Sequence, residues 1–162
     1  EPYLANVGSS MVALTRERAV DILSRMVETL KQTDALVGIH CCGNTDWSIL
    51  FDSGCDIISL DAYEYGENFM LYREQVMDFM DKDGSVAWGI IPTSSAVDNE
   101  DVETLRDRFE QYISRLEQQG LSREEIISHS FISPSCGLGN LNIKRAMRVL
   151  DLCRGLSDIY RF

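Results

Sequence analysis

The chain has 162 residues, 44% of them hydrophobic, enough for a compact domain with a sizeable core and too apolar for disorder. Fifteen basic against twenty-six acidic residues leave a formal charge of −11, which excludes nucleic acid or an anionic membrane as a default partner, because both need clustered cations. No apolar run reaches the roughly eighteen residues needed to cross a bilayer and no basic-then-apolar leader opens the sequence, so a cytoplasmic location is expected.

In chain order, two periods alternate. Val20, Leu23, Val27 and Leu30 step by three and four and predict a helix from about Thr15 to Thr33. The apolar run 35–39 then reads as a strand ending at His40, and 47–52 as a short helix. A second strand is expected over Asp56–Asp61, followed by a helix marked by Phe69, Val76 and Met80. Ser85–Ile91 reads as a third strand closed by Pro92. Val102, Leu105, Phe109, Ile113 and Leu116 mark an amphipathic helix ended by Gly120. Ile126–Ile132 is the fourth expected strand, stopping at Ser133-Pro134, and the last helix spans about Leu141–Leu152 with Ile143, Met147 and Leu150 on one face. Strands alternating with helices of these lengths predict βαβ units, a parallel sheet and an α/β fold in a single domain over residues 1–162.

The chemically interesting residues fall at or just beyond the predicted strand ends: Glu1-Pro2, His40 and Cys42, Asp61, Pro92-Thr93 and Cys136. In α/β sheets and barrels, loops at those ends build the active site. Residues i and i+2 of an extended segment point to one side, so His40 and Cys42 can address one metal ion while Cys41 points away. Cys136, in Ser133-Pro134-Ser135-Cys136-Gly137-Leu138-Gly139, supplies a thiolate from another strand end, and the glycines after it would allow a sharp turn. One imidazole and two thiolates with an open fourth position is a catalytic zinc set. A lone His-x-Cys also fits a small buried thiol, and Cys41 could exchange roles with Cys42. Cys55 and Cys153, in apolar contexts, read as core, and His129, inside the expected fourth strand, as a structural histidine.

Four pieces, in order, carry a resemblance. Glu1-Pro2-Tyr3-Leu4 looks like the tail of an Asp-Glu-Pro motif; His40-Cys41-Cys42-Gly43-Asn44-Thr45 resembles a His-x-Cys-Gly-Asn segment. Ile57-Ile58-Ser59-Leu60-Asp61 is similar to the strand after it, and Ser133-Pro134-Ser135-Cys136-Gly137-Leu138 to a last strand with its Cys-Gly-Leu. Together they resemble the superfamily of cobalamin-independent methionine synthase, the corrinoid-linked methyltransferases and uroporphyrinogen decarboxylase. The resemblance spans nearly the whole chain.

The resemblance implies a TIM-type (β/α)₈ barrel of which this chain covers the last four βα units, opening inside the Asp-Glu-Pro motif. It implies zinc held by His40, Cys42 and Cys136. It also implies a zinc-dependent methyltransferase of the methionine synthase type, moving a methyl group from a folate or a corrinoid protein to a small thiol such as homocysteine. Glu1 would bind the amino end of that thiol. Asp61 stands where methionine synthase has a glutamate zinc ligand and is one methylene shorter, so Glu64 or the substrate thiol could take that position. Asn44 and Thr45 would cap the helix after the metal loop, and Tyr63, Thr93 and Ser94 would line the pocket. A metal-free, uroporphyrinogen-decarboxylase-like lyase would want an arginine-rich pocket, whereas the arginines here fall mostly on helices. A non-catalytic half-barrel that must pair, through self-association or with another partner, is the third reading.

Overall fold

The computed structural model describes Leu4, Val7 and residues 14–161. Helix α1 (Arg16–Lys31) is capped by Thr15, whose hydroxyl accepts the Arg18 amide hydrogen. Strand β1 (Gly38–Cys41) follows, then the short α2 (Ser48–Phe51) and β2 (Ile57–Leu60). The segment after β2 is two helices, α3 (Ala62–Phe69) and α4 (Arg73–Met80), separated by a 3₁₀ turn at Met70–Tyr72, where a single helix is expected from the apolar spacing. Strand β3 (Ser85–Ile91) has the predicted bounds, and α5 (Val102–Glu117) begins with a capping box in which Asp101 and Thr104 bond each other's backbone. Gly120, at φ +116°, ends the turn beyond α5 in a conformation that side-chain-bearing residues rarely adopt.

The expected fourth strand is displaced. Residues 123–128 form helix α6 (Arg123–Ser128), begun by a Ser122–Glu125 capping box, and β4 is Ser130–Pro134. His129 is therefore the residue that caps α6, not a strand residue; its carbonyl accepts the Val86 amide hydrogen at 2.8 Å. Helix α7 (Ile143–Ile159), capped by Asn142, closes the order.

The four strands form one parallel sheet in the order β1-β2-β3-β4, with β1 and β4 at its edges. Alternation divides the strands' side chains between two faces. Ile58, Leu60, Val86, Trp88 and Ile90 are buried against the helices. Trp88 anchors that layer: it stacks on Tyr112 at 5.5 Å between ring centroids and meets Phe69 edge-on at 5.6 Å. The opposite face carries His40, Ser59, Ala87 and Ser133 together with Ile57 and the exposed Phe131.

The outermost helices bury only part of their apolar surface. In α1 Ala19, Leu23 and Val27 are buried, while Ile22, Met26 and Leu30 stay exposed. In α7 the face expected to be buried points outward, with Ile143 84% exposed and Met147 and Leu150 also exposed. Val149, Leu152 and Leu156 pack inward instead. Each of these helices carries two apolar stripes, and the sheet accommodates one. No described helix is long and apolar enough to cross a membrane.

Candidate metal centre

His40 sits in β1, and Cys42 is the first residue beyond it. Cys41, between them, is fully buried on the helix side, with its thiol directed to the Gly43 carbonyl at 3.4 Å. The period of the strand thus sends His40 and Cys42 to the face that Cys41 leaves. Cys136 is two residues past the end of β4. The imidazole and the two thiols meet: their ligand atoms lie within 4.8 Å of one another. Among the described residues this is the group of three histidine, cysteine or acidic side chains close enough to share one ion.

The meeting says something about the sheet. Strands pair about 4.8 Å apart, so β1 and β4, three steps apart, would stand roughly 14 Å from each other in a flat sheet with parallel side chains. The ligand atoms nonetheless meet, so the chain beyond β1 and β4 brings donors from both edges together.

Hydrogen bonds and burial set the chemistry of the group. His40 Nδ1 is 2.8 Å from Ser59 Oγ, its direct partner in the β1–β2 register. Burial holds the His40 pKa below its usual value, which favours the neutral imidazole that ligates metal. Cys42 and Cys136 are both exposed. Burial within the cluster, then the nearby Cys136 sulfur, push the Cys42 thiol above its ordinary pKa. A cation beside the Cys42 sulfur would favour its thiolate. This donor set, one imidazole and two sulfurs, can hold a metal ion and suits a borderline-soft one.

Other expected site residues take different places. Asp61 is 8% exposed and caps α3, its Oδ1 accepting the Glu64 amide hydrogen at 2.9 Å. Burial raises its pKa, and neither Asp61 nor Glu64 belongs to the close group. Glu1 and Pro2 lie outside the described residues. Asn44 and Thr45 do not cap α2: Thr45 Oγ1 donates to the Leu4 carbonyl at 2.8 Å, and Asp46 accepts the Ser48 amide hydrogen instead. Tyr63 donates to Glu100 at 2.7 Å, Ser94 caps the 3₁₀ turn at Ser95–Asn99, and Thr93 pairs with Ser135. Gly137 and Gly139 do not adopt the left-handed backbone that a sharp glycine turn would use. Cys55 is buried, and Cys153 is partly buried with its thiol pushed up to about 11 by desolvation.

Two structural residues at the site escape a reading by motif. Ser59 looks like an ordinary strand serine, and only the register places it against His40. Ser135 looks like a linker between proline and cysteine, yet it is buried and bonded. Compared with family models, with curated proteins and with solved structures, the chain has no match in any of the three.

Proposed function

We propose that the chain is the zinc-binding part of a methyltransferase that transfers a methyl group to a small thiol such as homocysteine. The observation that carries this reading is the convergence of His40, Cys42 and Cys136 from the two outermost strands of one sheet. His40 would ligate as a neutral imidazole, and with Nδ1 tied to Ser59, Nε2 is the nitrogen that would face the ion. Cys42 and Cys136 would ligate as thiolates and leave a fourth position for the substrate sulfur. Zinc bound there would supply the Lewis acidity that takes the proton from a thiol near neutral pH. Two anionic sulfur ligands from the protein keep that bound sulfur electron-rich enough to attack a methyl group. The donor, a folate or a corrinoid protein, has to approach from the open side of the site. Asp61, held against the α3 backbone, would act beside this centre rather than in it.

The same reading takes the four βα units as an arc of a (β/α)₈ barrel in the cytoplasm. The unbroken β1-β2-β3-β4 parallel order with a helical connection after each strand supports an arc, because a (β/α)₈ barrel repeats that unit around its axis. Outward apolar stripes on α1 and α7 support a further set of βα units packed against them, which a second copy of the chain could supply.

The test is spectroscopic. Cobalt-substituted protein should gain thiolate-to-metal absorption with homocysteine and not with homoserine, its hydroxyl analogue, and lose the effect in His40→Ala. Bound metal whose spectrum ignores every thiol offered would mark a structural ion and end the methyltransferase reading.

A further inference from the structure

Cys136 belongs to no helix or strand and is exposed, so nothing in its own packing fixes it. What precedes it is fixed. Ser135 is 4% exposed, and its amide hydrogen goes to the Ile91 carbonyl at 2.8 Å, extending the β3–β4 pairing one residue past the strand. Its hydroxyl oxygen accepts the Thr93 amide hydrogen at 3.2 Å and lies 3.1 Å from the Thr93 hydroxyl. Beneath it the register of β3 and β4 shifts between Gly89 and Ile91. A Cβ on Gly89 would stand 2.7 Å from the Ser135 Cα and closer still to the Leu60 carbonyl oxygen. Three strand ends therefore close on one another at Gly89, where only glycine fits, and Ser135 is seated on top. Cys42 is held in a parallel manner, as an exposed residue next to the fully buried Cys41.

The geometry points to a positioning role: we propose that the Thr93–Ser135 hydroxyl clamp, seated over Gly89, sets where the Cys136 ligand stands relative to His40 and Cys42. The inference rests on the metal-site reading. A ligand on a loop reaches an ion with the right geometry only if its neighbours are themselves locked, and loss of such supporting contacts costs metal sites about 10- to 100-fold in affinity.

The experiment titrates cobalt into the full chain and into the Ser135→Ala, Thr93→Val and Thr93→Ser variants, with zinc affinity taken by chelator competition. Each sulfur ligand adds to the near-ultraviolet charge-transfer band. Ser135→Ala should weaken zinc by roughly 10- to 100-fold and lose about half the band at saturating cobalt, since Cys136 no longer ligates. Thr93→Val, which keeps the backbone donor and the side-chain shape, should weaken zinc in the same direction. Thr93→Ser should restore both readouts. A purely structural clamp would lower the melting temperature and leave the saturated band and the affinity intact, and that result overturns the proposal. Should Ser135→Ala not fold, Thr93→Val decides by the same criteria.

A second arm needs no metal. In metal-free protein, glutathione disulfide accepts two electrons and two protons from Cys42 and Cys136, giving their disulfide and two glutathione thiols. This closure should be about tenfold slower in Thr93→Val than in the parent chain if the clamp holds the sulfurs together. Parent protein without cobalt bands but with this difference in closure would sink the metal reading and keep the clamp. Equal closure rates would sink the clamp.

Discussion

Ser59 Oγ stands 2.8 Å from His40 Nδ1, across the register that pairs these two residues on neighbouring strands. The contact fixes both the tilt of the imidazole and the nitrogen it presents. Ser59→Ala should therefore weaken zinc about 10- to 100-fold with a small change in melting temperature. Calorimetric or competition titrations that give equal affinities for the two proteins would remove Ser59 from the site.

Metal content separates four of the five cysteines. Protein purified without chelator should carry about one zinc per chain, by the ligand count above. Cys42→Ala and Cys136→Ala should each lose it, and Cys55→Ala and Cys153→Ala should keep it. Elemental analysis reads this directly, and stoichiometric zinc in Cys136→Ala would refute the ligand assignment.

The exposed apolar residues of the outer helices predict association. Among the described residues β1 and β4 are the outermost strands, and α1 and α7 carry exposed apolar stripes. The chain should sediment as a species larger than a monomer at micromolar concentrations. Charged replacements within the stripe, Met147→Lys or Met26→Glu, should shift it toward monomer without loss of helix content. A monomer at every concentration tested would count against the arc reading.

Acid should weaken the β1–β2 corner. Burial raises the Asp56 pKa, but the Lys31 ammonium at 2.6 Å and the Val37 amide hydrogen at 2.8 Å outweigh it and hold the carboxyl below its usual value. A depressed folded-state pKa contributes stability above the unfolded-state value, and that stability is lost as pH falls through the folded value. Asp56→Asn should cost about 1 kcal/mol at neutral pH, since the pair is partly exposed, and flatten the loss of stability below about pH 4. Denaturant melts at pH 7 and pH 3 check both points. An unchanged acid limb would mean that another carboxylate governs it.

The alternation of helix and strand was legible because short β-branched and apolar clusters mark most of the strands and the helices step by three and four. The bounds of β3 follow from the sequence itself; those of β4 do not, because Ile126-Ile127 reads equally as strand or helix. The Ser122–Glu125 capping box was the local signal that settles it for helix. Facing was harder to read in α1 and α7, where two apolar stripes compete and only the tertiary contacts choose. The ligand trio was accessible through strand period and strand-end position. Its supports, Ser59 and Ser135, depend on register and burial, and those appear only in three dimensions.

The trio also has a kinetic meaning. His40 lies in the first strand of the sheet with Cys42 just past it, and Cys136 follows the last, so the site closes a loop spanning most of the chain. Loop-closure entropy delays such a contact until the intervening units have folded. Any nascent or partly unfolded chain can offer at most the His40–Cys42 pair, which grips metal far more weakly than the complete set. Tight metal capture is thus a property of the finished sheet, and its loss on mild denaturation would report the parting of the first and last strands before helical signal declines.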